Sequence, residues 1–119
     1  MNGTITTPKM YDYVFYVIYD LSENPLPPYY GSTRQILSKR IAEHRRRSKT
    51  GRHCPSKAII NRGNYHYSPI EQRFCTNLER KRIEANYIRS NRSINNNVRN
   101  ADHTSVMRSA PLATDTLRN

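Results

Sequence analysis

The chain has 119 residues, enough for one domain with a modest core and too few for two. Its 20 Lys+Arg against 9 Asp+Glu give a formal net charge of +11, which points to a polyanionic partner because each phosphate contact releases condensed counterions. No apolar run reaches the length of a bilayer span or a signal-peptide core, and Cys54 and Cys75 stand in no metal-ligand spacing, which argues against a membrane protein, a secreted scaffold and a zinc site.

Two lone thiols in a cationic chain suit a reducing cytoplasm, as in a bacterial or phage-infected cell. Residues 1–10 are polar and read as a loose segment. "YDYVFYVIYD", Tyr11–Asp20, is dense in aromatic and β-branched residues and predicts a strand. The prolines of "LSENPLPP" cannot continue a ladder, so this is turn material. "YYG", Tyr29–Gly31, closes a short second strand and makes an antiparallel hairpin with the first. Ser32 or Thr33 then caps a helix through "RQILSKRIAEHRRRS". "KTGRHCPS" breaks that helix, and "KAIINR" predicts a short one capped by Ser56. "NYHYSPIEQRF" reads as a third strand, with Pro69 marking an edge or a bulge. Thr76-Asn77-Leu78-Glu79 is a capping box, opening a helix that runs to about Ser90. "NRSINNNVRN" is a polar loop, and residues 102–119 read as a disordered tail. The expected domain, 11–101, is α/β: a small three-stranded antiparallel sheet flanked by helices.

On a helical wheel Ile36, Leu37 and Ile41 define one apolar arc, and Arg40 and His44, four apart, fall inside it. Lys39, Arg45 and Arg46 point elsewhere. Desolvating a guanidinium costs on the order of several kcal/mol unless it is paired, so an arginine in that arc usually lines a cleft where an anion arrives. In the last helix Glu84 lies between Ile83, Tyr87 and Ile88, at the edge of an apolar face. Two readings stay open: a structural partner for Arg40, or an oxygen ligand for a divalent cation. Both put Glu84 on the Arg40 cleft. Tyr16, mid-strand, and Tyr29, at the end of the partner strand, can face one side of the sheet. Each is first of all a candidate core aromatic with its hydroxyl tied off. Between Arg34 and Arg62 stand ten basic residues and one acid, Glu43, which is either a solvated face or a nucleic-acid footprint.

With these residues in this order, the chain resembles the GIY-YIG nucleases over about residues 11–101. Val14-Phe15-Tyr16 stands where the family has its first motif, and Tyr29-Tyr30-Gly31 where it has its second. Arg40 follows that glycine at the spacing of the family's essential arginine, and His44 matches a histidine one turn later. "EANYI" supplies Glu84 at the place of the metal-binding glutamate. Asn97 in "NNNVRNA", with Asn96 close behind, matches an asparagine after the last helix, and His53 resembles an accessory histidine of some members. The first motif lacks its glycine and isoleucine, and Tyr30 stands at the centre of the second; these positions concern strand packing.

The resemblance implies an endonuclease that hydrolyses DNA phosphodiester bonds at a single site, one strand per encounter. One Mg2+ or Mn2+ would be held by Glu84, and Arg40 would meet the nonbridging oxygens. Tyr16 and Tyr29 would position the water, Tyr16 being the favoured base, and His44 would polarise a tyrosine or touch the phosphate. Arg34, Lys39, Arg45, Arg46, Arg47, Lys49, Arg52, His53, Lys57 and Asn97 would contact the nucleic acid, with DNA expected and RNA not excluded. The acting species would be a monomer or a transient dimer on DNA, of low or structure-based selectivity. Two other readings compete: a non-catalytic nucleic-acid-binding protein on the same fold, and a basic protein with an acidic protein partner whose apolar-face charges form an internal ion pair.

Overall fold

The structure, a computed structural model, describes residues 7–95. The tail at 102–119, Asn96, Asn97 and most of the loose segment at 1–10 lie outside the described residues. Six elements follow in chain order: β1 (Met10–Asp20), β2 (Tyr29–Thr33), α1 (Leu37–Ser48), α2 (Lys57–Arg62), β3 (Tyr65–Thr76) and α3 (Asn77–Ser90). The fold is α/β, with a three-stranded antiparallel sheet in the order β2-β1-β3 and helices packed on it. Among the described residues no helix is long and apolar enough to cross a membrane.

β1, the most apolar strand, takes the centre, where both of its edges are hydrogen-bonded. β3 carries Pro69 and sits at an edge, where a missing N–H costs no ladder bond. It is also bulged there: Phe15 pairs with Glu71 but Tyr16 with Pro69, leaving Ile70 as the extra residue.

Side-chain alternation divides the core. On one face Tyr16, Ile18 and Tyr29 pack with Ile41 of α1, Ile59 and Ile60 of α2, and Ile94. On the other, Tyr13, Phe15 and Cys75 pack with Ile83 and Tyr87 of α3. Each buried isoleucine contributes about 2 kcal/mol of transfer free energy, so a core this small depends on every one.

Helix starts follow local chemistry in one case and depart from it in two. Thr76 and Glu79 form the expected capping box: Glu79 N–H donates to Thr76 Oγ1 at 3.1 Å and Thr76 N–H to Glu79 Oε1 at 2.9 Å. Neither Ser32 nor Thr33 caps α1, because both belong to β2; Thr33 Oγ1 instead accepts from Gln35 N–H. Ile36 is the N-cap and is 67% exposed, so it drops out of the apolar arc. Ser56 stands at the N-cap of α2 but gives that helix no side-chain bond. Gly63 ends α2 at φ 86°, a left-handed conformation that favours glycine.

Two long-range ties fix the hairpin. The Asp20 carboxylate accepts from the amides of Ser22 and Leu26 and from Arg62 Nη1 at 2.8 Å, tying the proline loop to α2. Burial alone would raise its pKa, but these donors hold it down to about 2. After α3 the expected polar loop docks rather than floats. Ile94 N–H donates to Pro28 O, and the Asn95 carboxamide bonds both the N–H and the C=O of Tyr30, each at 2.9 Å.

Candidate active site

Gly31 sits opposite Tyr16 in the hairpin ladder. A Cβ there would lie 2.6 Å from the Tyr16 hydroxyl oxygen and 3.0 Å from Cε2 of Tyr29, so the closing glycine of "YYG" is a steric requirement. The space it leaves lets the two phenol rings approach to 6.3 Å between centroids, on one side of the sheet as expected. His44 of α1 meets both edge-on, at 5.9 Å from Tyr16 and 5.2 Å from Tyr29.

A buried chain of polar atoms runs through this cluster. The Tyr16 hydroxyl and His44 Nε2 are 2.8 Å apart, and His44 Nδ1 and Ser56 Oγ are 2.6 Å apart. Cys54 Sγ lies 3.3 Å beyond, against the same Ser56 hydroxyl. Ser56 and Tyr16 are fully buried and His44 nearly so. This is why Ser56 does not cap α2: its hydroxyl is committed to the histidine. Burial, then the positive charges of Arg40 and Arg47, push His44 down to about 4, so at neutral pH the ring is uncharged. One ring nitrogen therefore accepts and the other donates.

Both phenols are held above the ordinary tyrosine range, by burial first. Arg40 pulls Tyr16 the other way without overcoming that penalty. The protein alone therefore keeps Tyr16 and Tyr29 protonated, and any lowering of a phenol needs a further cation.

Arg40 and Glu84 complete the site from opposite faces of the sheet. Arg40 rises from α1 and bonds Glu43 Oε1 through Nη1 at 2.7 Å, its side chain 20% exposed. Glu84 reaches from α3 to the border of β2, where Ser32 Oγ donates to its Oε1 at 2.6 Å and Arg80 Nη1 at 3.1 Å. Glu84 is thus not the ion-pair partner of Arg40. The internal pair between apolar-face charges does not form. The Glu84 charge nevertheless raises both Tyr16 and Tyr29, so each of these phenols lies within electrostatic reach of both Arg40 and Glu84.

No family model, curated protein or solved structure matches this chain. The site therefore rests on its own geometry.

The solvent side is a cleft of about 820 Å3 between the first turns of α1 and α3, lined by Tyr11, Tyr13, Ser32, Thr33, Arg34, Gln35, Arg40, Glu43, Asn77 and Arg80. Among the described residues no three His, Cys, Asp or Glu side chains come together. Glu84 offers one partly exposed carboxylate whose two bonds both fall on Oε1, which suits Mg2+, an ion that keeps several waters and takes one or two carboxylates. Arg80, bonded to Oε1, competes with such a cation for the carboxylate's charge.

The expected nucleic-acid contacts divide. Arg34 lines the cleft, and Lys39 and Arg46 line a groove beside it, across Glu43. Arg47, Lys49, Arg52 and His53 are exposed. Arg45 donates to the Tyr65 hydroxyl and Lys57 to Thr50 O, so these two are already engaged within the protein. Sequence reasoning missed Ser32, Ser56, Arg80 and Asn95. Only Arg80 carried a local signal, its four-residue spacing from Glu84 on one helix.

Proposed function

We propose that the protein is a divalent-metal-dependent endonuclease of GIY-YIG type that hydrolyses DNA phosphodiester bonds, one strand per encounter. The observation that carries this reading is the buried Tyr16–His44 hydrogen bond set beside the Arg40 guanidinium and within reach of the Glu84 carboxylate. A core tyrosine needs one partner for its hydroxyl. It has no use for a cation and a carboxylate as well.

Each residue then has a task its geometry allows. Arg40 spends Nη1 on Glu43 and keeps other N–H groups to meet nonbridging phosphate oxygens, where charge builds as the bond breaks. Tyr16, fully buried in the free fold, would take a proton from the attacking water once the site opens to it, passing its own to Nε2 of neutral His44 while Nδ1–H stays on Ser56 Oγ. Burial is the larger cause of the depression of His44; a phosphate arriving beside Arg40 offsets only part of the smaller contribution from the positive field. Tyr29 packs against both and fixes their orientation. Glu84, with the Ser32 hydroxyl beside it, would hold Mg2+ or Mn2+, which when bound supplies charge neutralisation and a more acidic water.

The test is nicking of supercoiled plasmid with Mg2+ or Mn2+. Wild type should nick, and Arg40→Ala and Glu84→Ala should each lose about 100-fold or more, with DNA binding kept by Glu84→Ala. If about five phosphates are neutralised, affinity should fall with salt at a log–log slope of about −4.5. One observation favours a second reading. Arg80 neutralises Glu84, as a non-catalytic nucleic-acid-binding protein would need beside phosphate. Binding by wild type without nicking at any metal concentration would replace the first reading with that one.

A further inference from the structure

The cleft holds more than the site uses. Tyr11 and Tyr13 alternate along β1 on the α3 face and meet edge to face, with ring centroids 6.3 Å apart. Each lies under a guanidinium: Arg34 at 3.5 Å from the Tyr11 centroid and Arg80 at 5.7 Å from that of Tyr13. Arg80 is committed to Glu84 and Asn77, and Arg40 to Glu43. Arg34 differs. It is exposed, and among the described residues no hydrogen bond or ion pair occupies its donors. Its contact is the Tyr11 ring. The uncompensated positive charge of the cleft therefore sits on one flat group, stacked on an aromatic and open to solvent.

From this geometry we infer that the Arg34–Tyr11 stack is a seat for one unpaired nucleotide next to the scissile phosphate. The inference rests on the nucleic-acid reading above and names its substrate class. A guanidinium lying on a ring is fixed in plane, and its free face accepts a nucleobase while its edge donates to the adjoining phosphate. A base inside a duplex has both faces covered by its neighbours, so only a single-stranded or splayed nucleotide gains from such a platform. The cleft, of about 820 Å3, is open to solvent and has room for a nucleotide. The preferred substrate is therefore a single strand or a junction carrying one, and intact duplex is the poorer one.

Binding measured by fluorescence anisotropy tests this without reading cleavage. The probes are a labelled oligothymidylate, an abasic strand with the same phosphates, an oligouridylate and a matched duplex. Wild type should bind oligothymidylate about ten-fold more tightly than the abasic strand. Arg34→Lys keeps the charge and loses the plane; it and Tyr11→Leu should bring the intact strand to the abasic level while lowering duplex affinity by a much smaller factor, that of one phosphate contact. Arg34 is exposed, so that variant stays informative if Tyr11→Leu misfolds. A gain on oligouridylate equal to or above that on oligothymidylate upholds the seat and extends it to RNA. Equal binding of intact and abasic strands by wild type, or variants that weaken duplex and single strand alike, would overturn it. Failure to nick plasmid leaves this result standing, and failure here leaves nicking standing.

Discussion

Glu84 apart, which bonds Ser32 of β2 and belongs to the site, polar side chains near the core on the α3 face of the sheet meet partners close by or at the surface: Thr76 and Glu79 cap their own helix, and Tyr87 reaches Glu71 on β3. On the α1–α2 face, Tyr16, His44 and Ser56 come from a strand, a helix and a helix start, and bond one another in the interior. The first arrangement satisfies local rules and adds stability. The second gives up a helix cap and buries a histidine in its uncharged form. A fold accepts that cost where the polar set has work to do.

Six variants and one titration probe the contrast. The largest effect should come from Tyr16→Phe, which removes the hydroxyl and leaves His44 Nε2 unpaired. Plasmid nicking should fall by about 100-fold or more, and stability by about 1–3 kcal/mol. A variant that nicks normally would show the buried chain to be structural. Gly31→Ala adds a methyl against the Tyr16 hydroxyl and should destabilise by about 1–3 kcal/mol in urea unfolding, with nicking falling alongside.

His44 makes a pH prediction with a definite sign. Its pKa in the fold, about 4, lies below the ordinary 6.5, so the folded chain resists a proton that the unfolded chain accepts. Its contribution is complete above pH 6.5 and is lost as pH falls toward 4, on the order of 3 kcal/mol in all, and His44→Phe should flatten that limb of the stability profile. Ser56→Ala, which unpairs Nδ1, should cost about 1–2 kcal/mol and shift the pH dependence of nicking; Ser56→Thr should restore much of both. The smallest effect belongs to the other face. Thr76→Ala should lower stability by about 1 kcal/mol and leave nicking unchanged. Loss of nicking in that variant would erase the distinction between the two faces.

How far the chain could be read beforehand follows the same division. β1, the hairpin, α2, the edge position of Pro69 and the capping box of α3 rest on composition and on neighbours within four residues, and the structure has them where expected. The convergence of Tyr16, Tyr29, Arg40 and His44 was legible because the helical period puts His44 one turn after Arg40 on a buried stripe. The start of α1 was not. Thr33 has its backbone in the sheet and its hydroxyl on Gln35, a choice made by strand pairing rather than by helix propensity. Ser56 looked like a cap because its bond to His44 spans twelve positions. Within "INNN" Asn95, its one asparagine among the described residues, docks on Tyr30, at the exit of α3, which sequence bounds no better than a residue or two.

The grip of Asn95 on Tyr30 reaches beyond packing. One carboxamide answers both main-chain groups as an adjacent strand would, closing the open border beside the tyrosine pocket. A nascent polypeptide possesses Tyr16, Tyr29 and Arg40 well before it possesses this clasp, so the pocket is finished only once residue 95 has left the ribosome. A chain halted short of it would carry an unguarded border, ready to zip onto another copy of itself.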